Sequence, residues 1–270
     1  MKKFNYLAIL LLALTLVGCE CNEPNKVYVF SVAGNKTVVF SLGNLQYHPK
    51  NDQWRFARKQ TDYIGDLKEE LTSDYNGWID LFGWSTDNRV KFGVSASVDL
   101  YDYQGMFIDW GVNNIEKTSP KIWRTLTSDE WYYLLKEREN CVDFCGIAQV
   151  DGVNGLIVLP DNWSYPSNVT FKGGFDEDWD ATYNYANYQK ITKKDWAVLE
   201  QFGAIFLPAA GFRLRSKALD VQNYGHYWAS TDYNAECAHT FYFFSGDANV
   251  SFGELCTGCS VRLVQDVKVL

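Results

Sequence analysis

The last third of the chain is a series of short strand-like segments separated by turns. These segments are rich in β-branched and aromatic residues and lie at 204–207, 227–230, 240–244, 249–252 and 260–264. Short turns join antiparallel neighbours, whereas parallel strands need long crossover connections. The sequence therefore predicts an α+β fold built on antiparallel sheets rather than on a doubly wound parallel sheet.

The earlier part of the chain predicts further strands and long ordered loops. Segments 27–32 and 36–42 flank an Ala-Gly-Asn turn and predict a hairpin, and segments 146–150 and 154–159 flank a second turn. Residues 43–115 carry four tryptophans among many Gly, Asn and Asp residues, without a sustained helical period. Aromatic residues in such loops are expected to pin them to the core.

Two helices are predicted beside these sheets. The first begins at Thr127, which forms a capping box with Glu130, and its apolar face begins at Trp131. The second begins at Thr192 and ends at Gly203, where a left-handed backbone conformation is easily adopted. Helix content is therefore expected to be modest.

The N-terminus has the pattern of an exported lipoprotein. Residues 1–18 combine two early lysines with an apolar run that is too short to span a bilayer. The run ends at Cys19 in a sequence that resembles the lipobox, in which the cysteine is acylated and becomes the mature N-terminus. Residues 19–26 then form a polar tether, and residues 27–270 form a single domain. This predicts a lipid-anchored protein of the bacterial cell envelope, located in the outer membrane, and leaves open whether it faces the periplasm or the outside.

Composition narrows the choice of partners. The chain has 47% hydrophobic and 21% charged residues, which is typical of a folded soluble domain. Its net charge of −8 provides no basic field for a phosphate backbone, so nucleic acid is not an expected partner.

The cysteines leave several alternatives open. Six remain after the lipidated one, and their pairing cannot be read from spacing. Disulfides or reduced thiols are the ordinary states in an exported lipoprotein. The sharper alternative is a four-thiolate metal site formed by Cys141, Cys145, Cys256 and Cys259.

Several motifs carry a resemblance to a known superfamily. Segment 123–134 is similar to a helix of formylglycine-generating enzymes and their sulfatase-modifying-factor relatives. Segments 211–213, 225–230 and 258–264 resemble the closing pattern of that superfamily. A similar pattern occurs in the Fibrobacter-type major paralogous domain and in Bacteroidetes lipoproteins. The resemblance is clearest over 116–270 and implies a C-type-lectin-like fold, with two main helices beside antiparallel sheets and long ordered loops.

The family's catalysis does not transfer with the fold. The formylglycine-generating enzyme uses a copper-binding cysteine pair with four residues between its members. Here Cys256 and Cys259 have only two residues between them. Because thiolate–metal chemistry depends on geometry, a redox enzyme is the less favoured alternative.

An acidic, aromatic segment supplies most of the candidate ligand-binding residues. Alternate carboxylates in this segment are the ligands that calcium accepts, so calcium is the one cofactor considered. Rings beside carboxylates and amides suit stacking on a sugar or gripping a protein. The candidates are Asp176, Asp178, Trp179, Asp180, Tyr183, Tyr185, Tyr224 and His226.

The sequence as a whole predicts a lipid-anchored binding or adhesion module of the cell envelope. Its expected ligand is a glycan or a surface protein, and no catalytic residue is assigned. The alternatives are a redox enzyme that uses Cys256 and Cys259, and a structural subunit of a surface complex.

Overall fold

A computed structural model describes residues 26–64, 75–175 and 189–267. The strands are β1 Phe30–Ala33, β2 Lys36–Phe40, β3 Leu45–His48, β4 Gln53–Phe56, β5 Arg124–Thr125, β6 Cys145–Val150, β7 Val153–Val158, β8 Gln189–Ile191, β9 Ile205–Pro208, β10 Phe212–Leu214, β11 Lys217–Leu219, β12 Gly225–Asp232, β13 Cys237–Phe243, β14 Ala248–Glu254 and β15 Leu263–Val267. The α-helices are α1 Ser128–Tyr132, α2 Cys141–Phe144 and α3 Lys193–Gln201. Sheets dominate and helices are few, as an α+β fold requires.

Three sheets organise the chain. The first has the strand order β1-β2-β15-β5 and joins the N-terminal hairpin to the last strand, with Phe40 opposite Val264. The second has the order β8-β6-β7-β9, and the third has the order β12-β13-β14. Two further hairpins, β3-β4 and β10-β11, lie outside these sheets. The predicted first hairpin is confirmed, but the last strand begins at Leu263, three residues later than predicted.

One strand pair departs from the antiparallel prediction. Strand β8 runs parallel to β6, with Gln189 opposite Ala148, while the other named strand pairs are antiparallel. The chain between β7 and β8 is long enough to bring β8 back along the far edge of the sheet in this direction. Short strand spacing therefore predicted the direction of the other pairs, but not of this one.

The two predicted helices are confirmed, including their caps. The hydroxyl of Thr127 accepts a hydrogen bond from the Glu130 N–H at 3.1 Å, and the Glu130 carboxylate accepts one from the Thr127 N–H at 2.9 Å. After α1 the helix widens into a π-helical turn at Tyr133–Glu137. The hydroxyl of Thr192 caps α3 by accepting a hydrogen bond from the Asp195 N–H at 3.2 Å. The short helix α2 was not predicted.

Replacing Thr127 by alanine is expected to lower the free energy of unfolding by about 1 kcal/mol, because the Glu130 N–H loses its capping acceptor. Urea unfolding measures the change, and Thr127→Ser is the control that keeps the hydroxyl. Equal unfolding midpoints for Thr127→Ala and the unchanged protein would contradict this role of the cap.

The core is organised around tryptophans. Trp131 is fully buried in a cluster that α1 shares with the first and third sheets, and Trp196 is buried in a cluster beneath α3. Trp228 is fully buried in another cluster with Trp84 and Trp110. Trp131 and Trp228 therefore serve as structural core residues. The third sheet is covered on both faces, since alternate residues of β12 enter different clusters.

Candidate functional site

A cavity of about 470 Å³ opens between the 104–107 loop and the turn that joins β12 to β13. Its volume lies within the range of small-molecule sites. We call it the Trp84 pocket, and its lining residues are Trp84, Gln104, Gly105, Met106, Phe107, Asp232, Asn234, Ala235 and Leu255.

Two stacked rings form the apolar wall of the Trp84 pocket, and because Trp84 is only 3% exposed, Phe107 is the ring more accessible to a ligand. The ring centroids of Trp84 and Phe107 lie 4.9 Å apart, with 27° between their planes. The indole N–H of Trp84 donates to the Ala229 carbonyl at 3.0 Å, and its backbone N–H donates to the Leu255 carbonyl at 2.8 Å. These bonds tie the indole to β12 and to the chain after β14, so the wall is preorganised.

The 104–107 loop is fastened to the chain just beyond Trp84. The Met106 N–H donates to the Asp87 carboxylate at 2.9 Å, and the Asp87 N–H donates to the Met106 carbonyl at 3.1 Å. Tyr103, at the base of the loop, is fully buried, and its hydroxyl donates to the Ser97 carbonyl at 2.9 Å. The loop is therefore held at both ends, while the Met106 side chain at its tip is 74% exposed.

The opposite wall is a turn stabilised by Asn234. Its side-chain oxygen accepts hydrogen bonds from the N–H groups of Glu236 at 2.8 Å and Cys237 at 2.9 Å. The backbone N–H groups of Tyr233 and Asn234 both donate to the Cys237 carbonyl at 3.0 Å. Because the oxygen of Asn234 holds the turn, its NH₂ group is the part available to a ligand.

The polar groups of the lining retain unused hydrogen-bonding capacity. Within the ranges that the structure describes, the Gln104 amide and the Asp232 carboxylate make no hydrogen bond to another group. Asp232 is also the only charged side chain in the lining. The pocket therefore combines a fixed apolar wall with amide donors and acceptors and one carboxylate.

Tyr224 and His226, which the sequence singled out, lie in a different aromatic cluster. The His226 ring is 5.7 Å from Tyr224 and 6.3 Å from Tyr242, measured between centroids, and both pairs are stacked. Phe212 meets His226 edge-on at 5.4 Å. Burial lowers the pKa of His226 to about 4, against a weak opposing effect of Asp220, so the imidazole is neutral at physiological pH.

The other predicted ligand-binding residues and the predicted lipidation site lie outside the described residues. They are Asp176, Asp178, Trp179, Asp180, Tyr183, Tyr185 and Cys19.

The cysteines in the described ranges are free thiols that do not gather into a metal site. Cys256 and Cys259 are both buried, and burial raises the pKa of each thiol. The charge of Arg213 opposes this effect at both thiols without reversing it. In the part of the chain that the structure describes, no group of three or more His, Cys, Asp or Glu side chains could hold a metal ion. The four-thiolate site considered from the sequence is therefore not formed.

The residues of the Trp84 pocket were not identified from the sequence. Trp84 was interpreted only as one of the aromatic residues that pin the 43–115 loops, and it does pack in the core. Trp84 also lines the pocket because Phe107, Asp232 and Leu255 approach it from other parts of the chain. The one local signal was the Asp-x-Asn pattern at 232–234, between two predicted strands. This pattern indicates a polar turn but does not indicate which other segments the turn lies against.

No helix in the described ranges is long and apolar enough to cross a membrane. Comparison with protein-family models, with curated proteins and with solved structures finds no match to this chain. The resemblance noted in the sequence therefore stays a prediction, and function is inferred from the geometry of the Trp84 pocket.

Proposed function

We propose that the protein is a lipid-anchored binding module of the bacterial cell envelope that recognises a glycan in the Trp84 pocket. The observation that carries the proposal is the combination of the Trp84–Phe107 wall with the unpaired polar groups of Gln104 and Asp232. A preformed cleft with an apolar wall and a few convergent polar groups is the usual form of a small-ligand site.

A sugar fits this combination better than a wholly apolar ligand does. A pyranose ring has a flat face of C–H groups, which packs on an aromatic ring, and hydroxyls around its edge. The amides of Gln104 and Asn234 and the carboxylate of Asp232 supply donors and acceptors for those hydroxyls. A purely apolar ligand would leave these groups without partners and would lose affinity.

The proposal includes a C-type-lectin-like arrangement of the observed α+β architecture. Its support is the resemblance of segment 123–134 together with the capping box that the structure places there, at Thr127 and Glu130. It also includes acylation of Cys19, supported by the lipobox-like sequence. Incorporation of labelled fatty acid into the chain, and its loss in Cys19→Ser, is the measurement that checks this anchor.

Replacing Phe107 by alanine is expected to weaken glycan binding about tenfold or more, because one layer of the stacked wall is removed. The full chain is purified in mild detergent and screened on a glycan array, and affinities for bound glycans are then measured by calorimetry. Gln104→Ala is the second variant. It is expected to weaken binding without loss of stability, since Gln104 makes no hydrogen bond within the described residues.

Tyr165→Ala is the matched control, since Tyr165 is 60% exposed and does not line the Trp84 pocket. Its affinity is expected to equal that of the unchanged protein. Binding that survives both pocket variants would place the glycan elsewhere, and a chain that binds no glycan while turning over a substrate would overturn the proposed function.

A further inference from the structure

Acidic residues occur in and beside the turn that borders the Trp84 pocket. Asp232 lines the pocket, and Glu236 lies in the same turn, where its carbonyl accepts a hydrogen bond from the Leu255 N–H at 3.0 Å. Glu254 precedes Leu255 and lies opposite Cys237 in the β13–β14 pair. Burial is the main cause that raises the pKa of the Cys237 thiol, and the negative charges of Glu254 and Glu236 raise it further. Both carboxylates therefore lie near this thiol.

A fourth carboxylate lies behind the other wall. Asp87 binds the Met106 N–H, so its negative charge faces the backbone of the 104–107 loop. None of the ion pairs in the described ranges includes Asp87, Asp232, Glu236 or Glu254. Arg89, two residues beyond Asp87, is directed to Asp102 at 3.5 Å. None of these four carboxylates therefore forms an ion pair within the described part of the chain.

Carboxylates without an ion-pair partner beside an apolar wall favour a negative potential in the cleft. Low-dielectric walls focus such a field, which raises the local concentration of a positively charged ligand. Aromatic ring faces add a second attraction for a cation. A neutral ligand could only donate hydrogen bonds to Asp232, whereas a cation would also pair with its charge, and an anion would be repelled by it.

We propose that the glycan bound in the Trp84 pocket carries a free primary ammonium group, as a non-acetylated amino sugar does. The inference rests on the proposed function and specifies its ligand class. The ammonium donates to the Asp232 carboxylate, while the sugar ring packs on the Trp84–Phe107 wall. The amides of Gln104 and Asn234 remain for the sugar hydroxyls.

An amino sugar fits the pocket better than a lysine side chain of a protein does. A lysine presents one ammonium on a flexible stem and no hydroxyls. It would leave the Gln104 and Asn234 amides unused and would fill little of a cavity of about 470 Å³. The sugar uses the wall, the amides and the carboxylate together.

The test compares two ligands that differ only in their amine. A glucosamine oligosaccharide of defined length and its fully N-acetylated counterpart are titrated into the full chain in detergent. The ammonium form is expected to bind about tenfold more tightly, because the acetylated form carries no positive charge to pair with the Asp232 carboxylate. The difference is expected to shrink as ionic strength rises.

Asp232→Asn is expected to abolish this preference, because it removes the charge and keeps the shape of the side chain. Asp151→Asn is the matched control: it makes the same charge change at an exposed turn between β6 and β7, away from the pocket lining. It is expected to keep the full preference, which separates the local role of Asp232 from the net charge of the protein.

Each contrary result has its own meaning. Equal affinities for the two oligosaccharides, unchanged in Asp232→Asn, would overturn the ammonium inference and leave glycan binding intact. Binding of a lysine peptide as tight as that of the amino sugar, lost on acetylation of the peptide, would overturn it in favour of a protein ligand. Absence of binding to these oligosaccharides and to every array glycan would overturn the proposed function as well.

Discussion

Replacing Asp80 by asparagine is expected to stabilise the protein above neutral pH and to flatten the dependence of its stability on pH. Asp80 is only 2% exposed, and its carboxylate accepts a hydrogen bond from the Ile64 N–H at 2.8 Å. It takes part in none of the ion pairs found in the described ranges. Burial therefore raises the pKa of Asp80 to about 7, although backbone hydrogen bonds oppose the rise.

The sign of the effect follows from the protons bound in each state. In the unfolded chain an aspartate has a pKa of about 3.9. Between that value and the folded pKa of about 7, the folded state of Asp80 holds a proton that the unfolded state has released, so stability falls as pH rises. Below this window Asp80 is protonated in both states and costs the folded state no stability. Above it Asp80 is ionised in both states, and the loss of stability reaches its full value of about 4 kcal/mol at most.

Asparagine removes the charge and retains an oxygen that can accept from the Ile64 N–H. Urea unfolding at pH 5 and pH 8 is expected to show a gain of about 2–4 kcal/mol for Asp80→Asn at the higher pH, and a smaller gain at the lower pH. Asp151→Asn, at an exposed turn, is expected to follow the unchanged protein at both values. If Asp80→Asn keeps the original slope of stability against pH, Asp80 is not the group that titrates.

The elements that were predicted correctly are those whose signals are local. The capping box at Thr127 and the hairpin of β1 and β2 depend on residues only a few positions apart, and both formed as expected. The start of β15 was placed three residues too early because the Ser-Val-Arg segment has strand composition. In the structure the buried side chain of Arg262 donates a hydrogen bond to the Gln60 side chain. Sheet pairing begins only at Leu263.

The candidate site could not be predicted in the same way. The Trp84 pocket joins the chain near residue 84, the 104–107 loop, the β12–β13 turn and Leu255, which are up to 171 positions apart. No periodicity or spacing links these segments, so only the fold brings them together. The sequence instead favoured an acidic, aromatic segment outside the described residues, together with Tyr224 and His226, and the structure places these two rings in a separate stack.

Support for the pocket begins well below its surface. The backbone of Phe82 exchanges hydrogen bonds with Cys259, at 2.9 Å and 2.8 Å, two residues before Trp84. The indole N–H of Trp228 also donates to the Phe82 carbonyl at 2.6 Å. The position of Trp84 therefore depends on the segment that contains Cys259 and continues to Arg262.

Replacing Arg262 by alanine is expected to lower the free energy of unfolding by about 3–5 kcal/mol, one of the largest single effects in the protein. Arg262 is only 1% exposed, and its guanidinium donates to the Gln60 side-chain oxygen at 2.6 Å and to the Leu42 carbonyl at 3.4 Å. Longer bonds reach Asn44 at 3.4 Å and the Phe206 carbonyl at 3.5 Å. Alanine would remove these donors and leave a cavity, and the Gln60 oxygen would keep only its bond from the Phe206 N–H at 2.8 Å.

Burial lowers the pKa of Arg262 to about 10, so the guanidinium is still charged at neutral pH. Arg262→Met separates its two contributions, because methionine fills much of the space without donating hydrogen bonds. If bonding matters more than volume, Arg262→Met is also strongly destabilised in urea unfolding. Stability equal to that of the unchanged protein would show that volume alone matters.

Arg89→Ala is the control. The Arg89 side chain is 70% exposed and forms one long ion pair to Asp102, so its replacement is expected to lower the free energy of unfolding by less than about 1 kcal/mol. A loss for Arg262→Ala no greater than that of Arg89→Ala would contradict a structural role for this guanidinium, and with it the view that the segment after Cys259 supports Trp84 from below.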